Sequence, residues 1–232
     1  MILDDFRTLI RAFVPAAKIA VVGNTLLDLL INQAVNDVNI RAAAYQGDTK
    51  FNATAEQQTY NFSTAVSDYV AMDEGGLWWN AGSASSPDWR KLDPYTRRSL
   101  NDQFPRWLSD TSDSPLRYFY EGDNLIIHPK PDTTLSSGFW IFNIKKPTAM
   151  TLSSHYPFSG STTEIASLKV LDDCIVDYVR WKLHHPLGTK EEGIITEKDY
   201  DKSVAEKVML LKRRLDISAN NARMRGPSIG RT

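Results

Sequence analysis

The spacing of apolar residues changes abruptly twice along this chain, and the change limits the folds open to it. Before Gln46 and after Thr163, apolar residues recur with the 3.6-residue period of amphipathic helices. Between these borders, short aromatic and β-branched runs are broken by glycine, proline and small polar residues, as in small β-sandwiches and barrels. The stretch from Tyr45 to Phe158 holds 19 of the 24 aromatic residues. We therefore expect helices at both ends of the chain and a β-region between them.

Three long helices are predicted from this periodicity. The first covers about residues 25–45, the second begins near Thr163 and ends before Pro186, and the third follows Thr196. The Thr196-Glu-Lys-Asp stretch resembles a capping box with aspartate as its last residue. The apolar positions that follow this period in the first helix are Leu26, Leu27, Leu30, Ile31, Ala34, Val35, Val38 and Ala42.

These elements predict an α+β fold. Each amphipathic helix needs a partner for its apolar face, so helices from both chain ends should pack together. The expected organisation is a helical bundle built from residues 1–46 and 161–216, with an inserted antiparallel β-sandwich or barrel-like domain at 47–160. Residues 217–232 have no apolar period and are predicted to be an extended basic C-terminal tail. Residues 88–110 are expected to be partly helical or irregular and are placed as a long loop.

Two aromatic stretches were considered as binding sites. RYFYEGDNLIIH is fully explained as a β-hairpin with a glycine in its turn, and His128 is expected at the surface where the second strand ends. Because side chains alternate along a strand, one of Trp78 and Trp79 should point into the core and the other outward. The outward ring is a candidate for a subunit or tail interface, since aromatic residues are enriched at interface cores.

The chain lacks recognisable catalytic or metal-binding motifs. It has no phosphate-binding glycine loop, no zinc-protease motif and no hydrolase serine motif. The single cysteine, Cys174, excludes an internal disulfide and is expected to be buried and inert. We therefore expect no enzyme activity, no cofactor and no metal. An acidic N-terminus argues against a signal peptide, and the lack of a long apolar run argues against a membrane span. Together with the single cysteine, these features favour folding in a reducing cytoplasm.

Charge is distributed unevenly along the chain. Residues 202–232 carry eight basic and two acidic side chains, a formal charge of +6, whereas the other 201 residues carry 19 basic and 26 acidic side chains, or −7. A basic segment on an acidic body suggests docking to an acidic partner or to DNA. The candidate docking residues are Arg213, Arg214, Arg223, Met224, Arg225, Ile229 and Arg231.

Several segments, taken in order, resemble the head-to-tail adaptor proteins of tailed bacteriophages, also called connectors or head-completion proteins. They are FVPAAKIAVVGNTLLDLLINQAVNDVN, SPLRYFYEGDNLIIHPKP, IKKPTAM and EIASLKVLDDCIVDYVRWKL. Together they extend over most of residues 5–215. Each motif is moderately specific, and their order and spacing carry the weight.

The resemblance implies a structural virion protein of the neck region, assembled in the host bacterial cytoplasm. It implies a ring, typically of twelve subunits, between the portal protein and the tail or neck proteins. DNA would pass through this ring without sequence-specific binding, and no membrane would be involved. Since no long heptad repeat is visible, the free protein is expected to be a monomer or weak oligomer. Two alternatives remain: a carbohydrate- or receptor-binding virion module using the aromatic β-region, and a DNA-binding protein using the basic C-terminal segment.

Overall fold

The chain forms two compact units in its computed structural model, which describes residues 1–13, 22–184 and 195–224. The helical unit comprises Met1–Ala44 with Pro147–Thr232, and the β unit comprises Tyr45–Lys146. Helices together with antiparallel and mixed sheets make the fold α+β, as predicted. The second border lies at 146/147, earlier than the predicted 160. Residues beyond it bond to the helices, since Asn32 binds both backbone groups of Met150.

The elements follow in chain order. The helices are α1 (Leu3–Phe13), α2 (Asn24–Ala42), α3 (Phe62–Ala65), α4 (Arg97–Gln103), α5 (Asp172–His184) and α6 (Glu197–Met224), with a 3₁₀ helix at Ala166–Leu171. The strands are β1 (Gln46–Ala53), β2 (Thr59–Asn61), β3 (Tyr69–Asn80), β4 (Trp89–Lys91), β5 (Asp93–Pro94), β6 (Arg117–Glu121), β7 (Asn124–His128) and β8 (Leu135–Lys145). Among the described residues, no helix is both long and apolar enough to cross a bilayer.

Helices α1, α2, α5 and α6 pack against one another in the helical unit. The Arg7 guanidinium joins α1 to α2 through two hydrogen bonds of 2.7 Å to the Asp28 carboxylate. At the start of α6, Thr196 and Asp199 bond reciprocally, which confirms the predicted capping box. Buried apolar residues supplied by these helices include Phe6, Ile10, Leu27, Ile31, Val35, Val38, Ile175, Val179, Tyr200 and Val204.

The β unit contains two four-stranded sheets. Sheet 1 has the order β1-β8-β3-β4, and sheet 2 has the order β2-β7-β6-β5. Inward residues of both sheets form one buried cluster. In it the ring of Phe139 stacks on that of Phe51, with 5.1 Å between ring centres, and its centre lies 5.1 Å from that of Trp79. The β5–β6 pairing is parallel, so sheet 2 is mixed and the purely antiparallel expectation was wrong at this edge.

Sheet 2 is covered on its other face as well. Residues 95–107 fold over it, and Leu100 of α4 and Trp107 pack with Phe119 and Ile126 in a second buried cluster. The partly helical character expected for 88–110 is confirmed by α4, but its placement as a loop was wrong, because the segment also contains the strands β4 and β5. Leu100, Phe104 and Trp107 are spaced by four and three residues, so this segment turns one apolar face towards the sheet.

The later helices differ from their predicted bounds. The helix expected from Thr163 begins as a 3₁₀ turn at Ala166–Leu171 and becomes α-helical only at Asp172. Helix α6 continues to Met224, so the tail predicted at 217–232 is helical in its first part. The sequence from Ile217 to Met224 contains no proline or glycine, and Gly226-Pro227 follows it. Residues 225–232 lie outside the described part of the chain.

Candidate assembly surfaces

The two neighbouring tryptophans of β3 lie on opposite faces of sheet 1. Trp79 is 2% exposed, packs against Phe139 in the shared core and donates from its indole N–H to Ser114. Trp78 is half-buried on the other face and donates to the backbone carbonyl of Gly75 at 2.8 Å. The predicted alternation is confirmed, and it leaves Trp78 as the interface candidate of the pair.

Three further aromatic rings share the outward face with Trp78. Trp78 lies opposite Trp140 in the pairing of β3 with β8. The centre of the Trp140 ring lies 5.3 Å from that of Trp89 and 4.6 Å from that of Phe142. All four side chains are half-buried, so each keeps part of its ring in solvent. We call Trp78, Trp89, Trp140 and Phe142 the outer aromatic face.

Polar groups are fixed at one edge of the outer aromatic face. The Lys50 ammonium lies 5.0 Å from the centre of the Trp140 ring and 5.3 Å from that of Trp89, which is cation–π distance. The Trp140 indole N–H donates to the Asp48 carboxylate at 2.8 Å. An aromatic surface with charged groups at its border matches the aromatic core and polar rim of protein interfaces.

Sequence reasoning named Trp78 but missed the other members of this face. The alternation in GFWIFNI could have identified Trp140 and Phe142, because Phe139 and Ile141 face inward. Trp89 carried no such signal. It belongs to a strand of three residues inside the segment expected to be a loop.

The predicted docking residues at the C-terminus lie only partly in described structure. Arg213, Arg214, Arg223 and Met224 belong to the backbone of α6, whereas Arg225, Ile229 and Arg231 lie outside the described residues. The structure therefore places the first four on one helix.

The first half of α6 is fastened to the helices beside it. The Tyr200 hydroxyl donates to Asp37 of α2, and Arg41 contacts Asp201 at 2.6 Å. Lys207 contacts Asp173 of α5 at 3.0 Å. Burial raises the pKa of the Tyr200 hydroxyl above its ordinary value, and the hydrogen bond to Asp37 adds to the rise. These contacts hold the first half of α6 against α2 and α5, and the second half of the helix carries Arg213, Arg214 and Arg223.

His128 is not at the surface, contrary to expectation. It is 3% exposed, its Nε2 lies 3.0 Å from a carboxylate oxygen of Asp110, and the rings of Phe104 and Trp107 pack beside it. Among the described residues, its Nδ1 has no hydrogen-bond partner. The segment that covers sheet 2 buries this strand end, which the local sequence does not indicate.

Neither the single cysteine nor the described His, Asp and Glu side chains form a reactive or metal-binding group. Cys174 is buried as predicted, and burial raises the pKa of its thiol. Within the described ranges, no group of three His, Cys, Asp or Glu side chains is arranged to hold a metal ion. What the described residues present to a partner is aromatic, apolar and charged surface.

Comparison with known proteins agrees with this picture. The model of the SU10 adaptor protein family matches residues 1–228. No curated protein matches the chain at a significant level. Because the family match extends over nearly the whole sequence, the chain belongs to the SU10 adaptor protein family, a family of structural bacteriophage proteins.

Proposed function

We propose that this SU10 adaptor family member forms a ring, typically of twelve subunits, that joins the portal to the tail and continues the DNA channel. The family match over residues 1–228 is the observation that carries the proposal. The formal charge of −7 on the residues outside 202–232 also supports it, because a net-negative body is not attracted to the phosphates of a genome that must slide past it. The ring would lie in the neck of the virion, after assembly in the host cytoplasm.

The C-terminal segment is proposed to dock on the portal. Helix α6 is 28 residues long and is anchored near its start by Tyr200 and at Lys207. From Lys207 to Met224 the helix rises by about 25 Å at about 1.5 Å per residue. The segment carries Arg213, Arg214, Arg223, Met224, Arg225, Ile229 and Arg231. Arginine pairs with carboxylates through two hydrogen bonds, so an acidic portal groove is the partner that suits it best.

Truncation of the segment tests this proposal. Removing residues 217–232 should leave the thermal melting of the free protein unchanged and abolish binding to purified portal. Replacing both Arg223 and Arg225 by Glu should weaken portal binding in a salt-dependent way. The matched control replaces Lys198 and Lys202 by Glu, since both are exposed in the first two turns of the same helix. A truncated protein that docks with full affinity contradicts the proposal.

The outer aromatic face of the β unit is proposed as a subunit or tail-side contact, with Trp78 as the member named from sequence. Rings that are half-buried in the free protein lose little conformational freedom on binding, which favours them as anchors. If this is correct, Trp78→Ala should weaken incorporation of the tail component without changing portal binding. Equal loss of both activities would point to a folding defect instead.

A second function rests on the same face. Flat aromatic rings beside Lys50 and Asp48 are also suited to stacking on a sugar and bonding to its hydroxyl groups. On this alternative, the β unit is a carbohydrate- or receptor-binding virion module. A glycan array separates the two, because specific glycan binding that is lost in Trp140→Ala supports the receptor function. An array without binding supports the adaptor contact.

A further inference from the structure

The sulfur atom of Met72 links the two sheets of the β unit. Met72 lies on β3 of sheet 1, whereas Tyr118 and Tyr120 lie on β6 of sheet 2. The Tyr118 hydroxyl donates to the Met72 sulfur at 3.0 Å, and the Tyr120 hydroxyl donates to it at 3.3 Å. The hydroxyl of Tyr69 in turn bonds to that of Tyr120. Because a thioether is a weak acceptor, two strong donors converge here on a poor partner.

A third donor group lies across the strands from Met72. Asn143 of β8 is paired directly opposite it, which places both side chains on one face of sheet 1 with their Cβ atoms about 5 Å apart. The Asn143 side chain is fully buried, and within the described residues neither its amide nitrogen nor its amide oxygen has a hydrogen-bond partner. An unsatisfied amide is costly in a protein interior, so its N–H groups would be stabilised by an acceptor at this place.

Small solutes can reach this sulfur from the surface. Met72 is half-buried, and the pairing of β3 with β8 is interrupted directly after it, so that residues 73–76 oppose Phe142 alone. One of the two hydroxyl donors belongs to Tyr120, which is 40% exposed. The cluster therefore combines an accessible thioether with donors that are fixed by both sheets.

We propose that Met72 is an oxidation site whose product, a methionine sulfoxide, is held by donors already in place. The oxidant is a peroxide. A lone pair of the sulfur attacks one peroxide oxygen, the O–O bond breaks, and the departing hydroxide takes the remaining proton to form water. Sulfur loses the two electrons that the peroxide gains. The new oxygen on sulfur is a strong acceptor for the Tyr118 and Tyr120 hydroxyls and for the Asn143 amide.

Oxidation at this position would strengthen the link between the sheets. A sulfoxide in a protein core ordinarily disrupts packing, because a polar oxygen enters apolar surroundings without a donor. Here two hydroxyls from sheet 2 already point at the sulfur, and the unpaired amide comes from sheet 1. This modification site goes beyond the adaptor function and does not depend on it, since neither a ring nor a portal takes part.

Treatment of the folded full chain with hydrogen peroxide tests the proposal, with every methionine followed by peptide mass spectrometry. Met209 is 61% exposed and Met150 2%, so they mark complete and minimal oxidation. Conversion of Met72 should retain or raise the urea midpoint, and Met72→Leu under the same treatment corrects for sulfoxides elsewhere. In the double variant Tyr118→Phe/Tyr120→Phe, conversion should lower the midpoint by roughly 1 M urea.

A second pair of variants tests the same donors without an oxidant. In Met72→Gln the amide oxygen stands in for the sulfoxide oxygen, whereas Met72→Leu has no acceptor. The glutamine variant should have the higher urea midpoint in the native background and the lower one in the Tyr118→Phe/Tyr120→Phe background. Met72 left unmodified when Met209 is fully oxidised overturns the proposal. So does an equal loss of stability on oxidation with and without the two hydroxyls, or a leucine variant that is the more stable in both backgrounds.

Discussion

Trp78 and Trp79 provide a matched pair of substitutions that separates folding from assembly in the β unit. Trp79→Ala removes a side chain that is 2% exposed, and large-to-small changes of this kind cost about 3–5 kcal/mol. The lost ring contact with Phe139, whose centre lies 5.1 Å from that of Trp79, is part of that cost. We expect the free energy of unfolding of the β unit to fall by about 4 kcal/mol.

Trp78→Ala should be much less costly, because the side chain is only half-buried. It loses the 2.8 Å hydrogen bond to Gly75, worth about 1 kcal/mol, and part of its apolar contact. We expect a total of about 1–2 kcal/mol. Urea unfolding followed by circular dichroism measures both variants under identical conditions, with stability taken from linear extrapolation.

The comparison has a clear refuting result. If the two variants lose equal stability, or if Trp78→Ala loses more, the assignment of inward and outward faces to β3 is wrong. If Trp78→Ala stays folded and still binds every portal and tail partner at full affinity, the outer aromatic face is not an assembly surface. Only a stable Trp78→Ala protein with a selective loss of a partner supports both parts of the reasoning.

Further predictions concern the helical unit. Because burial raises the folded-state pKa of Tyr200 above its unfolded value of about 10, its contribution is complete below that pH and declines above it. Stability measured against pH should therefore fall above about pH 10, and less steeply in Tyr200→Phe. Cys174 should react with iodoacetamide slowly in the folded protein and rapidly in urea, because it is buried. Arg7→Ala should cost about 1–2 kcal/mol through loss of the bidentate bond to Asp28, whereas Arg90→Ala, at an exposed pair, should stay within about 0.5 kcal/mol in the same unfolding assay.

The parts of the fold that follow local rules were predictable from the sequence. The hairpin of β6 and β7 pairs Arg117 with His128 and Glu121 with Asn124, around a turn in which Gly122 has a φ of +59°. Its alternation was also predicted, because the two-residue period of a strand depends only on the backbone. Tyr118 faces the shared core and Phe119 the second cluster.

The parts that depend on distant packing were not predictable. Leu26 follows the apolar period of α2, yet it is 42% exposed, because periodicity alone cannot say how far around the helix its neighbours reach. The early start predicted for the tail was wrong because Ile217–Met224 contains no proline or glycine and continues α6 without an apolar period of its own. Trp89 was missed as a member of the outer aromatic face because its strand has only three residues. So short a strand shows no alternation from which its pairing with β3 could be predicted.

His128 was also buried by distant packing, and substitutions there test whether its ring packing or its contact with Asp110 stabilises the end of β7. Its ring fills space beside Phe104 and Trp107, its Nε2 reaches Asp110, and its Nδ1 has no bonding partner among the described residues. A buried unsatisfied polar atom costs about 1–3 kcal/mol, so a ring without that atom should be tolerated. Asp110 is 41% exposed at its side chain and can bond to water after the change.

We therefore expect His128→Phe to retain or raise the urea midpoint. His128→Ala should lower it by an amount equivalent to about 2–4 kcal/mol, because the cavity between the two aromatic rings would remain. If His128→Phe is as unstable as His128→Ala, the contact with Asp110 rather than the packing of the ring holds this strand end.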